Sequence, residues 1–387
     1  MARSRRRQKQ KRETPSFASK QTSVSPSVKP IQSFAAINWP KVALILAIFV
    51  FALYLRTAWN VDLATEDGFQ LTGGSDPYYH KHVIDYVHET GQHLISDPML
   101  NYPLGANNVR PPLFDWSIVI AGLLISPFIG NQAEAVWWAT EVMPAVYGAL
   151  LVFPIYAMGR TYFNSKSALF SAFFISVSAS HIGHSTLALA DHDSFIILLT
   201  TICFYFFMRS LSSSTDQRWV SNWKNTDSIK DGFSSFFSNE LLSIGYAGLA
   251  GTSLLIVALS WKGFPYLMAI IAIYLVLQML INSLKKVDSF SVAMIGIIAL
   301  SIPIIFSFPY YYTMGSLSTW WEAPAYILLG VMGASLIFVP TRDLPWLLVW
   351  STTISVAVVS FLLLQYVFTE LGFLLLGGQG YFIRTTL

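Results

Sequence analysis

Polar and apolar residues in this chain segregate into long apolar runs separated by short polar stretches. Runs of about 20 apolar residues, bounded by charge or by Pro and Gly, are long enough to cross a bilayer as helices. They predict nine spans, at 41–58, 142–159, 167–183, 193–210, 241–260, 264–283, 289–309, 324–340 and 345–368. A further run from Phe114 to Gly130 is short and carries Asp115, Gly122 and Pro127, so it reads as an interfacial or re-entrant helix covered by protein. Nothing repeats at a fixed period, and 211–240 reads as a polar, Ser-rich loop. The expected fold class is an all-α membrane protein, a polytopic helical bundle.

Composition agrees. The 387 residues are 54% hydrophobic and only 12% charged, where a soluble domain carries roughly a quarter charged residues, and the mean hydropathy is +0.52. A soluble globule is excluded. The net charge of +3 hides an asymmetry: residues 1–20 hold eight Lys or Arg against Glu13 alone, and the rest of the chain is slightly acidic. Residues 1–40 read as a disordered basic tail, either an orientation signal or an arm for anionic partners. The apolar run begins only at Val42 with no small-residue cleavage site after it, so the first span is expected to be retained. The single cysteine, Cys203, rules out an intrachain disulfide and a cysteine metal cluster.

Basic residues recur at alternate span ends: the tail, then Arg160 and Lys166, then Arg209, Arg218, Lys224 and Lys230, then Lys285 and Lys286, then Arg342. The positive-inside rule makes these ends cytoplasmic and the stretches 59–141, 184–192, 261–263, 310–323 and 369–387 external. Counting Phe114–Gly130 as a span would break this agreement.

Ionised groups beside a bilayer are costly and therefore informative. Asp76 lies in Gly73-Gly74-Ser75-Asp76-Pro77-Tyr78-Tyr79-His80, and Asp191 and Asp193 flank His192 at the start of a span. Each acid has a plain reading as a helix cap, Asp76 for a short helix beginning at Pro77 and Asp193 for the span that follows it. Were 191–193 extended, Asp191 and Asp193 would point to one side and, with Asp76, form an oxygen-rich site for Mg²⁺ or Mn²⁺. His192 reads equally as a packing residue or a ligand. His181 and His184 read as interface residues or as phosphate contacts, and His80, Lys81 and His82 could neutralise an anionic substrate.

From about residue 40 the chain resembles the membrane half of the catalytic subunit of oligosaccharyltransferases, the archaeal single-subunit type in particular. Gly74-Ser75-Asp76-Pro77-Tyr78-Tyr79-His80 resembles the family's first external-loop motif, and Asp97-Pro98 through Asn101-Tyr102-Pro103 with Pro111-Pro112-Leu113-Phe114-Asp115-Trp116 resembles the rest of that loop. Asp191-His192-Asp193 resembles the second acidic motif, and Ser260-Trp261-Lys262-Gly263 stands where members carry a Trp-Gly-Gly type turn. The resemblance implies a GT-C type glycosyltransferase fold over 41–387. It also implies transfer of a preassembled glycan from a dolichyl phosphate or diphosphate carrier to asparagine in Asn-x-Ser/Thr sequons, with membrane lipids as surroundings and no nucleic-acid partner. It carries over Asp76, Asp191 and Asp193 as catalytic residues and ligands of Mn²⁺ or Mg²⁺. His80, His184 and Trp261 are the candidate substrate-binding residues beside them.

The sequence departs from the family pattern in three ways. Lys262 interrupts the Trp-Gly-Gly turn, and His184 stands where many members carry an arginine. The family's glutamate motif in a later external loop and its Trp-Trp-Asp motif in a soluble domain are not found before Leu387, and Glu370 lies too close to the ninth span to replace the glutamate. The expectation is a fragment inactive by itself. A protein O-mannosyltransferase would share the first-loop acid but not the paired second motif. A transporter would place ionisable groups at span midpoints in pseudo-symmetric halves.

Overall fold

The computed structural model describes residues 38–65, 70–367 and 369. The chain divides into two units, Met1–Ala36 and Ile37–Leu387, and every described residue belongs to the second. All but the last three residues of the expected basic tail lie outside the described residues, as do residues 370–387, Glu370 among them.

The described chain is helical: α1 (Trp39–Thr57), α2 (Val61–Thr65), α3 (Ser75–Thr90), α4 (Leu113–Ile129), α5 (Gln132–Leu150), α6 (Val152–Tyr162), α7 (Ser165–Ser176), α8 (Ala179–Gly183), α9 (Asp193–Ser213), α10 (Thr226–Asn239), α11 (Leu241–Ala258), α12 (Phe264–Lys285), α13 (Phe290–Thr313), α14 (Glu322–Phe338) and α15 (Trp346–Tyr366). A π-helical turn, Leu317–Trp321, leads into α14. Between α3 and α4, β1 (Ser96–Asp97) pairs antiparallel with β2 (Ala106–Asn107). Asparagines start four helices: the side chains of Asn38, Asn131, Asn164 and Asn225 accept first-turn backbone N–H groups of α1, α5, α7 and α10, which would otherwise be orphaned donors.

Among the described residues, eight helical stretches are long and apolar enough to cross a membrane: α1, α5 with α6, α9, α11, α12, α13, the π turn with α14, and α15. The span expected at 167–183 does not qualify, because it is broken into twelve-residue α7 and five-residue α8. Yet α7 runs alongside α1 for most of its length. Lys41 Nζ donates to Ser165 Oγ (3.3 Å) at one end, and Arg56 Nη1 donates to the Ser176 carbonyl (3.3 Å) at the other. The expected path is kept, with a shorter helix than the apolar run suggested. Leu113–Ile129 forms the expected short apolar helix, but protein does not cover it all round: Ile120, Leu123, Leu124 and Phe128 are exposed.

The long helices connect two ends. Tyr162 Oη and Ser212 Oγ (3.1 Å), and Ser210 and Ser243, join α6, α9 and α11 at the Lys41 end. At the Arg56 end the Leu113 N–H donates to the Leu259 carbonyl (2.8 Å), and the hydroxyls of Tyr310 and Tyr311 donate to the carbonyls of Arg110 and Ala258. The stretch 211–240 is not an open loop. Asn225 caps α10, Phe236 is fully buried with Trp219 and Phe290, and Trp219 Nε1 donates to Ser291 Oγ (2.9 Å).

The largest core cluster joins α3, α4, α5, α9, α11, α12 and α13. In α3 it takes Val83, Ile84 and Val87, one turn or two beyond His80, so His80 is carried inward on the same stripe.

Candidate functional site

Two segments far apart in sequence meet at the Arg56 end. The stretch 185–190 is stitched to earlier elements through its backbone: Leu187 N–H donates to the Arg56 carbonyl (2.8 Å), Ala188 N–H to the Glu141 carbonyl (3.0 Å), and the Ala188 carbonyl accepts from Thr72 N–H (2.8 Å). Gly73 sits in the left-handed region at φ +95°, where a Cβ would lie 2.1 Å from Leu189 Cδ1. Only glycine suits that backbone and that approach. The helix after it, α3, begins at Ser75 with Gly74 as its cap residue, so Asp76 lies in the first turn and does not cap the helix.

His80 is buried, and its Nδ1 lies 2.6 Å from Oδ1 of the equally buried Asp115 in the first turn of α4. Its Nε2 has no hydrogen-bond partner and points toward Asp191, 3.9 Å from Oδ1. That oxygen also accepts the His192 backbone N–H (2.6 Å) and lies 2.7 Å from His192 Nδ1. Burial pushes the Asp191 carboxyl up, but the hydrogen bond and charge of His192, with the charge of His80, outweigh it and hold it at about 2. Ligand atoms of His80, Asp191 and His192 all lie within 4.8 Å of one another, and among the described residues these form the one group that could hold a metal ion.

Asp76 and Asp193 stand outside that group. Asp76 accepts from Arg110 Nη2 (2.6 Å), whose guanidinium lies 4.3 Å from the centre of the Tyr79 ring. Asp193, half-buried, lies 2.8 Å from Nδ1 of the exposed His184. The convergence of Asp191 and Asp193 required an extended backbone. Instead His192 is helical (φ −73°, ψ −10°) and Asp193 already belongs to α9, which turns the two carboxylates to different partners.

Trp261 is half-buried in the turn between α11 and α12 and packs on the main core. Its ring covers Gly263, where a Cβ would meet Cζ2 at 2.1 Å, so this Trp-x-Gly spacing is set by packing. Beside it, Lys262 Nζ lies 5.0 Å from the centre of the Trp320 ring. Burial, and secondarily the charge of Arg110, push Lys262 down to about 8. Sequence reasoning passed over Arg110, which falls between two quoted motif stretches. It is the one arginine in the stretch 59–141, and that was the signal available.

Residues 43–383 match the family described as Oligosaccharyl transferase STT3, N-terminal. The chain belongs to that family. Dolichyl-phosphooligosaccharide-protein glycotransferase 2 of Archaeoglobus fulgidus is 29% identical over 239 residues, 60% of this chain and 32% of the relative. Dolichyl-monophosphooligosaccharide-protein glycotransferase AglB of Haloferax volcanii is 22% identical over 295 residues, 74% of this chain and 26% of the relative. This member of the STT3 family thus spans about a third or less of the length of these curated relatives. Among solved structures, the apo oligosaccharyltransferase of Archaeoglobus fulgidus matches with TM-score 0.67 at 17% identity, over 92% of this chain and 40% of that one. The same enzyme with Zn and sulfate matches with TM-score 0.63 at 19% identity, over 84% and 40%. At these identities the likeness is one of fold, the polytopic GT-C bundle of the family.

Proposed function

We propose that this chain is the membrane part of a glycosyltransferase that moves a preassembled oligosaccharide from a dolichyl phosphate or diphosphate carrier to the asparagine of Asn-x-Ser/Thr sequons. The observation that carries the reading is the meeting of both acidic motif segments at one end of a family-matched bundle, with Asp191 among His80 and His192 and Asp76 nearby in sequence on α3. Solved relatives of the same fold include one in complex with an inhibitory peptide and a dolichol-phosphate and one tethered to an acceptor peptide containing an NVT sequon.

In this reaction the amide nitrogen bonds to the anomeric carbon, the bond from that carbon to the phosphate oxygen breaks, and the nitrogen gives up a proton. The Asp76 carboxylate, on the open first turn of α3, suits hydrogen bonding to the acceptor amide once Arg110 moves aside. The residues present fit a divalent cation. Asp115 holds His80 Nδ1, so Nε2 is presented beside the ionised Asp191, an arrangement common around metal-ligating histidines. Asp191, His80 and His192 would hold the ion, and Asp76 and Asp193 are the further carboxylates the family resemblance implies. When bound, the cation supplies a Lewis acid for the charge developing on the leaving phosphate. Two imidazoles with carboxylates favour Mn²⁺ over Mg²⁺.

The site is read as external and the N-terminus as cytoplasmic in the cell membrane. What supports this is the distribution of bases: Lys41, Arg160, Lys166, Arg209, Arg218, Lys224, Lys230, Lys285, Lys286 and Arg342 all belong to the Lys41 end or the connections there.

The test is glycan transfer by the full-length protein from a dolichol-linked oligosaccharide to peptides carrying Asn-x-Thr or Asn-x-Ala. Transfer to the first alone, lost with chelator and restored by Mn²⁺, is expected. Sugar appearing on Ser or Thr of a peptide without asparagine would favour the O-mannosyltransferase reading instead.

A further inference from the structure

Any enzyme using a lipid phosphate must hold that phosphate with positive charge, and in this chain the exposed His184 is already engaged with Asp193. Four Lys or Arg residues lie at the Arg56 end among the described residues. Arg56 is sealed in the bundle, its guanidinium donating to Ser185 Oγ and to the carbonyls of Ala52 and Ser176. Lys81 is buried against Asp85 and the Trp137 ring. Arg110 and Lys262 remain. We propose that Arg110 and Lys262 together bind the phosphate of the lipid carrier, a proposal that rests on the reading of the site as a lipid-phosphate-dependent glycosyltransferase.

The fold brings their two backbone segments together. Three residues after Arg110, the Leu113 N–H donates to Leu259, three residues before Lys262 (2.8 Å). Tyr310 Oη donates to the Arg110 carbonyl (3.0 Å), and Tyr311 Oη donates to the Ala258 carbonyl (2.8 Å), so α13 pins both segments. Lys262 is half-buried with no carboxylate within 4.0 Å among the described residues, its ammonium resting over an indole ring. A cation withdrawn from water without an anion is an incomplete pair. Arg110 meets Asp76 through Nη2 alone, which leaves the rest of its fork to face an incoming oxyanion, and it is one-third exposed above Tyr79. A planar fork beside a point-charge ammonium suits a tetrahedral dianion or a diphosphate. An anion that draws Arg110 away also uncovers Asp76, the carboxylate assigned to the acceptor amide.

The experiment measures binding to the protein in lipid nanodiscs, using tryptophan fluorescence with dolichyl phosphate, dolichol and inorganic phosphate as separate probes. Arg110→Ala and Lys262→Ala are each expected to weaken dolichyl phosphate binding at least about tenfold. Arg110→Lys, which preserves the charge and spares the fold, is expected to fall between wild type and alanine. Lys81→Gln, which removes a base at the same end, is expected to change affinity less than about twofold. Dolichol is expected to bind far more weakly than dolichyl phosphate, and inorganic phosphate to compete only weakly for want of the chain. Alanine variants that remain monodisperse and bind dolichyl phosphate as tightly as wild type would overturn the proposal. So would equal binding of dolichol, or inorganic phosphate that binds as tightly as the lipid. No binding of dolichyl phosphate by the wild-type protein would defeat the functional reading itself, an outcome distinct from those.

Discussion

At the scale of single residues, the site is a set of matched pairs, each with its own consequence. Asp115 holds His80 so that Nε2 stays available, with Asp115 itself fully buried. Asp115→Asn is expected to lower Mn²⁺ affinity by about 10–100-fold, the usual effect of losing a ligand's hydrogen-bond partner, measured by electron paramagnetic resonance. Unchanged affinity would remove His80 from the ligand set. Lys262 gives a pH signature. It faces Arg110 and the Trp320 ring, and its pKa lies at about 8 through burial first and Arg110 second. Its charge is present below that value and lost above it, so affinity for dolichyl phosphate is expected to fall as pH rises through about 8. Lys262→Arg, always protonated, should flatten that fall. His80, Asp191 and His192, which the structure brings together, stood out in the sequence as polar groups at the edges of apolar runs. The partners of Asp76 and Asp193 were not, because an ion pair with Arg110, 34 residues away, and the helical turn at His192 are set by tertiary structure.

At the scale of elements, close approaches decide which segments can meet. Gly73→Ala combines a left-handed backbone with a Cβ overlapping Leu189. It is expected to cost about 1–3 kcal/mol and to reduce glycan transfer, read by thermal unfolding beside the activity assay. A fully stable and active variant would show that the approach of 73 to 189 does not matter. The helix α10 is hard to see in the sequence because serines dilute its pattern, yet the signals are present: Asn225 as cap, then Ile229, Phe233 and Phe236 on one face. Phe236→Ala is expected to destabilise by about 3 kcal/mol, seen as a lowered unfolding temperature.

At the scale of the whole chain, most of the path was legible, because the order of apolar runs fixes it once the short 113–129 helix is set aside. The length of α7 was not legible, since hydropathy does not reveal where a backbone breaks. Orientation can be read by chemical labelling, because the single native Cys203 is buried and stays silent. A cysteine at exposed Tyr102 is expected to react with an impermeant maleimide in intact cells, and one at exposed Lys224 only after permeabilisation. The reverse pattern would invert the proposed topology.

The hydrogen bonds tying Thr72, Arg56 and Glu141 to residues 187–188 also set a clock. The first motif leaves the ribosome more than a hundred residues before the strand of chain that completes it. At roughly 5–20 residues per second of synthesis, it waits on the order of 5–20 s with the Thr72 N–H without its acceptor. During that interval the half-made site is open to whatever assists membrane insertion, and the site can form only after residues 187–192 emerge.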